Sequence, residues 1–237
     1  MNLRNIIIGV VIIIVLYLLY MWFFGDHSRT YLCGMQDARK SITVSGDNMP
    51  SGASADYTFS TWIYVSNWNY RVGEKKTILS RKDKGGNPAP VISLGASLNN
   101  VEVDLGTYST DSADGVSVQP DTCTLENVPI QAWANIIITL NNRALDLYLD
   151  GKLVRTCVLS GVPKMSSGEP LVIAGDGGFE GYISNVQYLS RAVNPREAYA
   201  IYREGPSGGN IISNFINKYR IKVAFMKDNK EVNSLEI

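Results

Sequence analysis

The stretch from Gln131 to Gly181 limits what this chain can fold into more than any other. Leu145, Leu147 and Leu149 alternate with Asp146, Tyr148 and Asp150, a period of two that sends successive side chains to opposite faces of a strand. Asp150-Gly151 follows, where that strand must reverse. Both residues tolerate the positive φ of a type I′ turn, so a tight antiparallel hairpin is predicted. A two-residue loop opposes Leu149 to Lys152, Leu147 to Val154 and Asp146 to Arg155. That register gives one apolar face and a cross-strand ion pair on the other. Just upstream, Ala134 to Leu140 is apolar and rich in β-branched residues, and Asn141-Asn142 interrupts it.

Strand signals recur on both sides of the hairpin. In Tyr57 to Val65, Phe59, Thr61, Ile63 and Val65 share one face while Thr58, Ser60, Trp62 and Tyr64 share the other. Bulk on both faces suits an interior strand. Ser41–Ser45, Thr77–Arg81, Ala89–Leu94, Asn100–Gly106, Val116–Leu125, Leu171–Ala174 and Tyr182–Tyr188 are further short candidates between Gly- and Asn-rich turns. Short strands so spaced predict a sandwich or barrel. Asn194-Pro195-Arg196-Glu197 combines an N-cap residue, Pro at the first helical position and Glu at the third. A helix to about Arg203, stopped by Gly205-Pro206, is expected there.

A Trp opening an apolar strand, then LDLYLDGKLV, then LVIAGDGGFEGYISNVQYLSRAVNPREAYAIY, resembles the second half of a laminin-G-like domain. That family belongs to the concanavalin-A-like jelly-roll group. The resemblance spans Ile42 to Glu204, and Trp133 to Tyr202 is its specific part. It implies a mainly β, antiparallel two-sheet sandwich with one short helix after the last strand. It implies function weakly, because the fold hosts lectins, hydrolases and adhesion modules.

Outside that block, Ile6 to Phe24 is 19 residues without a charge. As a helix it spans about 28 Å, against a hydrocarbon core of about 30 Å. Tyr17, Tyr20 and Trp22 gather at its far end, where amphipathic rings favour the interface. A cleaved signal peptide is the other reading, but Trp22-Phe23-Phe24-Gly25-Asp26 is a poor cleavage site. The expected organisation is a transmembrane anchor over 1–25, a polar tether over 26–41, the sandwich over 42–206 and an extension over 207–237. Within the extension, Ile211, Ile212, Phe215, Ile216 and Tyr219 fit a helical stripe, and Arg220–Lys227 alternates before a turn at Asp228-Asn229. Flanking charges do not set the orientation, since Arg4 faces Arg29, Arg39 and Lys40 across the span.

Catalytic chemistry finds little material. The one histidine, His27, lies on the tether, and one histidine excludes a histidine-rich metal site. Glu102-Val-Asp104 offers two acids of the Glu-x-Asp-x-(x)-Glu pattern of some hydrolases of this fold, but Gly106 and Thr107 stand where the third is needed. Asp111, Asp114 and Asp176 are oxygen donors of the kind calcium takes. Their spacing assigns no metal residue, and turn chemistry explains them as well. Lysine plus arginine and aspartate plus glutamate both total 22, so no bulk pull toward nucleic acid is expected.

Trp68, Asn69, Tyr70 and Arg71 sit together on a predicted loop. Aromatics there serve sugar stacking and protein contact alike, or fold back over the core edge. Cys123 and Cys157 each lie in a Thr-Cys-x-Leu context on a predicted strand. A disulfide between them, leaving Cys33 free, is expected, two buried thiols being the alternative. The hairpin register places Cys157 on the face away from Leu147, outside the main core. The tether, the Cys123/Cys157 spacing and the tail from Lys218 onward resemble membrane-anchored jelly-roll proteins of large nucleocytoplasmic DNA viruses. The expected function is a single-pass, non-catalytic binding or structural module at a virion inner membrane, with the bilayer and capsid proteins as neighbours. A glycan-binding lectin-like surface protein is the alternative, and a glycoside hydrolase the third.

Overall fold

A computed structural model describes residues 28–49, 55–109, 117–166 and 168–208 with their side chains. It also describes residues 9, 12–17 and 19 near the amino terminus, and the backbone of 222–227 and 230–236. Two antiparallel sheets face each other. The first runs β1 (Arg29–Cys33), β14 (Glu180–Leu189), β4 (Tyr57–Asn67), β9 (Trp133–Asn141), β10 (Ala144–Leu149), β11 (Lys152–Val158), with β2 (Gln36–Asp37) also on β14. The second runs β12 (Val162–Pro163), β7 (Val101–Ser109), β6 (Pro88–Leu94), β5 (Lys76–Lys82), β13 (Leu171–Ile173), β3 (Ile42–Val44), with β8 (Ser117–Leu125) paired to β7.

Alternation decides what fills the space between the sheets. Phe59, Ile63 and Val65 of β4, Ile136 and Ile138 of β9, and Leu145 and Leu147 of β10 point inward from the first sheet. Leu79, Ile92, Leu94, Val101, Val103 and Leu105 meet them from the second. β4 is flanked by β14 and β9, the interior position that its two bulky faces require. Its outer face is covered in part by α1 (Pro195–Arg203). Val193, Ala198 and Ile201 pack there on Ile137, Tyr148 and Leu189. Asn194 caps the helix in a full capping box with Glu197, and Pro195 opens it, as the sequence predicts.

The Asp-Gly hairpin forms with Leu149 opposite Lys152, and both turn residues have positive φ (50° and 72°). Tyr148 opposite Leu153 keeps the expected register, which does not hold beyond that second pair. A bulge follows Leu153, so Leu147 opposes Arg155, Asp146 opposes Thr156 and Leu145 opposes Cys157. One extra residue reverses the facing of everything after it. Val154 is therefore 53% exposed rather than on the core face, and Cys157 packs against the core. The expected Asp146–Arg155 pair is replaced: the Thr156 hydroxyl donates to Asp146 (2.6 Å), and Arg155 reaches the Thr124 carbonyl (3.2 Å).

The tether reading of 26–41 is corrected as well. Arg29–Cys33 is an edge strand on β14, and Gln36–Asp37 adds two more residues to the same partner. Both runs are too short to carry an alternation that can be read. Ion pairing fixes β1 instead. Arg29 pairs with Glu204 just past α1 and donates to Gln187 (2.6 Å), which itself donates to Glu204 (3.3 Å).

Residues 12–17 are helical with exposed side chains. Both ends of the expected anchor, Ile6 and Phe24, lie outside the described residues. Among the described residues, no helix is long and apolar enough to cross a membrane. In the extension, β15 (Lys222–Lys227) and β16 (Lys230–Glu236) form an antiparallel hairpin. The helical stripe expected over 211–219 lies outside the described residues.

Candidate binding surfaces

The loop after β4 folds inward. Trp68 packs against the core, and the Lys76 ammonium sits 4.5 Å from its ring centroid. Lys76 is only 1% exposed and finds no hydrogen-bond partner among the described residues. Desolvation by burial, then the charge of Arg71, lowers its pKa. The Trp68 face is thus engaged by a buried cation. Tyr70 donates to the Gly177 carbonyl (3.1 Å), while Arg71 donates to the Asp176 carbonyl and pairs with Glu74 (2.7 Å). Asn69 is exposed, its amide bound to the Asn67 side chain (3.0 Å). Tyr70 and Arg71 clamp the loop before β14 to the sandwich rim, while Trp68 is held against the core, which leaves little of Trp68 and Arg71 for a ligand.

Glu102 and Asp104 lie on the outer face of the second sheet, two residues apart on β7. Lys75 bridges them, 2.7 Å from Glu102 and 3.2 Å from Asp104. Those contacts, the hydrogen bond to Glu102 foremost, raise the Lys75 pKa. The Thr122 hydroxyl also donates to Asp104 (2.6 Å). Thr107 faces inward, donating toward Gln119 and Asp121 (both 3.2 Å). This is an ion-paired face with both carboxylates occupied.

Cys123 and Cys157 are bonded, with Cα atoms 6.1 Å apart. The bridge joins β8 to β11, strands of different sheets that share no backbone ladder. Cys33 is a free thiol on β1 whose pKa burial raises. Asp111, Asp114 and His27 lie outside the described residues. Among the described residues, no three His, Cys, Asp or Glu side chains converge on a point where an ion would sit.

One cluster is not anticipated by the sequence. Tyr182 on β14, Tyr64 on β4 and Trp133 on β9 are direct cross-strand partners on the outer face of the first sheet. Ring centroids are 6.4 Å apart for Tyr182–Tyr64 and 5.7 Å for Tyr64–Trp133, tilted by 49° and 54°. The next row inward is Ser184, Trp62 and Asn135, where Tyr202 of α1 stacks on Trp62 at 5.5 Å. The only sequence signal was Tyr64 facing off the core. The row itself arises from strand pairing across more than a hundred residues.

A two-sheet antiparallel sandwich of this topology, with a helix on one outer face, is a concanavalin-A-like jelly roll. A family profile described as the concanavalin A-like lectin/glucanases superfamily, in its laminin-G form, matches residues 37–198. The chain belongs to that family. Solved structures with the same fold include the receptor-binding domain of a botulinum neurotoxin C/D mosaic serotype, with a TM-score of 0.55 and 15% identity, covering 72% of this chain and 42% of that one. The receptor-binding domain of botulinum neurotoxin D is similar, with a TM-score of 0.54, 15% identity, and coverage of 74% and 43%. The serotype G binding domain gives a TM-score of 0.51, 15% identity, and coverage of 73% and 46%. The chain spans less than half the length of each of these domains.

Proposed function

We propose that this chain is a non-catalytic binding module that acts by surface contact while held at a bilayer by Ile6–Phe24. The observation that carries the non-catalytic part is the Lys75 bridge. Acid–base or nucleophilic work on a glycoside takes two carboxyl groups in different protonation states facing a cleft. Here one ammonium holds both acids, and Gly106 and Thr107 supply no third. Tethering favours contact as a mode of action, because an anchored domain meets neighbours at high effective concentration without a tight site.

The setting we propose is the membrane–capsid boundary of a large DNA virus, with capsid proteins as neighbours. It rests on the resemblance of the whole chain to membrane-anchored viral jelly-roll proteins. Full-length protein incubated with a panel of polysaccharides should release no reducing ends. Release that disappears in Glu102→Gln refutes the non-catalytic reading. Mass spectrometry of purified virions tests the setting, and absence of the protein from them removes it.

A further inference from the structure

We propose that the C-terminal hairpin of this chain docks on the free edge of β11, with β16 lying antiparallel beside it, and so extends the first sheet. The inference is independent of what the module binds. Most edges of the two sheets are poor templates for a further strand. β2 and β12 are dipeptides and β3 has three residues. β1 has five and breaks register between Tyr31 and Cys33, and β8 is interrupted by Pro120, which has no N–H to give a neighbour. β11 differs. It runs for seven residues without Pro or Gly and pairs only with β10. Leu153, Val154 and Val158 are all exposed on it, Val158 by 77%. An open apolar edge of this kind is a template for another strand.

The hairpin needs a partner as much as β11 does. Among the described residues, β15 and β16 pair with each other and with no other strand. A two-stranded sheet alone is marginally stable in water, and a third strand is one way to hold it. The connecting chain is long enough. It leaves the sandwich on β14, where the Ser184 hydroxyl donates to the Pro206 carbonyl (2.6 Å) and the Asn185 side chain to the Gly205 carbonyl (2.9 Å). With β16 beside β11, β15 lies six strand spacings from β14, about 29 Å at about 4.8 Å each. Residues 209–221 reach up to about 43 Å at about 3.3 Å each. The end of the strand is also suitable. The Asp150-Gly151 turn that opens β11 lies against Tyr199 and Tyr202 of α1, and antiparallel docking starts β15 at that same end.

Charge selects the strand and its register. β15 carries Lys222 and Lys227 and no acid, whereas β16 carries Glu231 and Glu236 with Lys230. β11 presents Lys152 and Arg155, so β16 is the complementary strand. With Glu236 opposite Lys152, Leu235 falls opposite Leu153. Lys222 pairs with Glu236 and Val223 with Leu235 inside the hairpin. Two rows then cross the junction, Lys152–Glu236–Lys222 and Leu153–Leu235–Val223. The second row continues from Tyr148, which is opposite Leu153 on β10. Opposite-charge and apolar cross-strand pairs are what stabilise a sheet. A second copy of β11 fits worse, because antiparallel self-pairing about the middle of the strand sets Arg155 against Arg155. The hairpin of the same chain is favoured over a neighbour's, since its short connection holds it at high effective concentration.

The test uses full-length protein in detergent, with Cys33→Ser to remove the free thiol. Leu153→Cys/Leu235→Cys should close an intrachain disulfide under mild oxidation, since directly paired residues lie within the Cα separation a disulfide takes. The control Tyr31→Cys/Leu235→Cys, at the opposite edge of the same sheet, should close at least about tenfold less. Peptide mapping and a non-reducing gel read both. A Leu153–Leu235 yield no higher than the control overturns the proposal. A bond formed mainly between chains assigns the edge to a second copy and overturns it too. Hydrogen exchange supplies a readout without new cysteines. Leu235→Pro removes an N–H from β16 and leaves the sandwich sequence intact, so amides over 152–158 should exchange about tenfold faster while those of β4 and β9 exchange as in the parent. Unchanged exchange over 152–158 overturns the docking.

Discussion

Removing the Cys123–Cys157 bridge should cost more than any single contact in the sandwich. The two cysteines are 34 residues apart in sequence, and the loop they close contains the whole of β9 and β10. In the chain-entropy account, cross-linking a loop of this length removes freedom from the unfolded chain worth about 4 kcal/mol at 25 °C. A domain of this size loses about 2–4 °C of Tm per kcal/mol, so Cys123→Ala/Cys157→Ser should melt about 8–15 °C lower. Alanine suits position 123, which is 2% exposed, because a serine hydroxyl there would lack a partner. Differential scanning calorimetry gives the shift. Urea unfolding supplies a second readout: the freed unfolded chain exposes more surface, so the m-value should rise. A Tm within about 2 °C of the parent, with an unchanged m-value, refutes the claim that the bridge constrains the unfolded chain. Adding Arg155→Ala should change little, since its ion pair with Glu126 is long (3.9 Å) and exposed.

Three further outcomes follow from particular residues. Gly151→Ala should destabilise by roughly 2–4 kcal/mol, combining a left-handed backbone with overpacking. Its Cβ would lie 2.8 Å from the Tyr202 Cβ and 3.0 Å from the Tyr199 Cα, and a melt unchanged from the parent contradicts this. Asp83 pairs with Lys164 and accepts from the Asn87 amide (2.8 Å) and side chain (2.9 Å). Hydrogen bonding from Lys164 first, then Asn87, holds its carboxyl well below the usual carboxylate range. A depressed pKa contributes stability that is present above the unfolded value of about 3.9 and is lost as pH falls below it. The Tm gap between parent and Asp83→Asn should therefore be flat from neutral pH to about 5 and shrink below about 4; a gap unchanged down to pH 2 counts against the clamp. Carbonate extraction should leave the full-length protein in the membrane pellet and release a protein beginning at Asp26. Full-length protein in the supernatant removes the anchor.

Elements whose information is local were legible in the sequence. The Asp150-Gly151 turn, the Asn194 capping box and the two-sided bulk of β4 each declare themselves within a few residues. β1 and β2 did not, because five polar-mixed residues and a dipeptide are strands only when β14 lies beside them. The bulge at Val154 was invisible for a related reason. Nothing in Leu153-Val154-Arg155 marks the extra residue, and the gain that selects it is long-range, turning Cys157 toward Cys123 on the other sheet. The candidate site shows the same division. Trp68 to Arg71 looked like a contact loop because its aromatics are contiguous, yet the buried ammonium of Lys76 draws the Trp ring inward. Tyr64, Trp133 and Tyr182 are scattered in sequence and become a surface only through strand order.

The placement of β1 also has a mechanical meaning. The chain enters the sandwich at Arg29, beside the last residue of β14, and β1 runs antiparallel to that strand. Suppose tension is applied through Ser28 while the sandwich is held near Tyr182, at the opposite end of β14. The two adjacent strands are then pulled along their common axis in opposite directions. Every rung of the ladder bears load at once, a shear geometry, instead of rupturing in turn as a peeled edge does. The Arg29–Glu204–Gln187 contacts sit where the force enters and add a lateral restraint from α1 to the first rung. An edge strand of five residues, weak against thermal fraying, is thereby set to resist a steady pull.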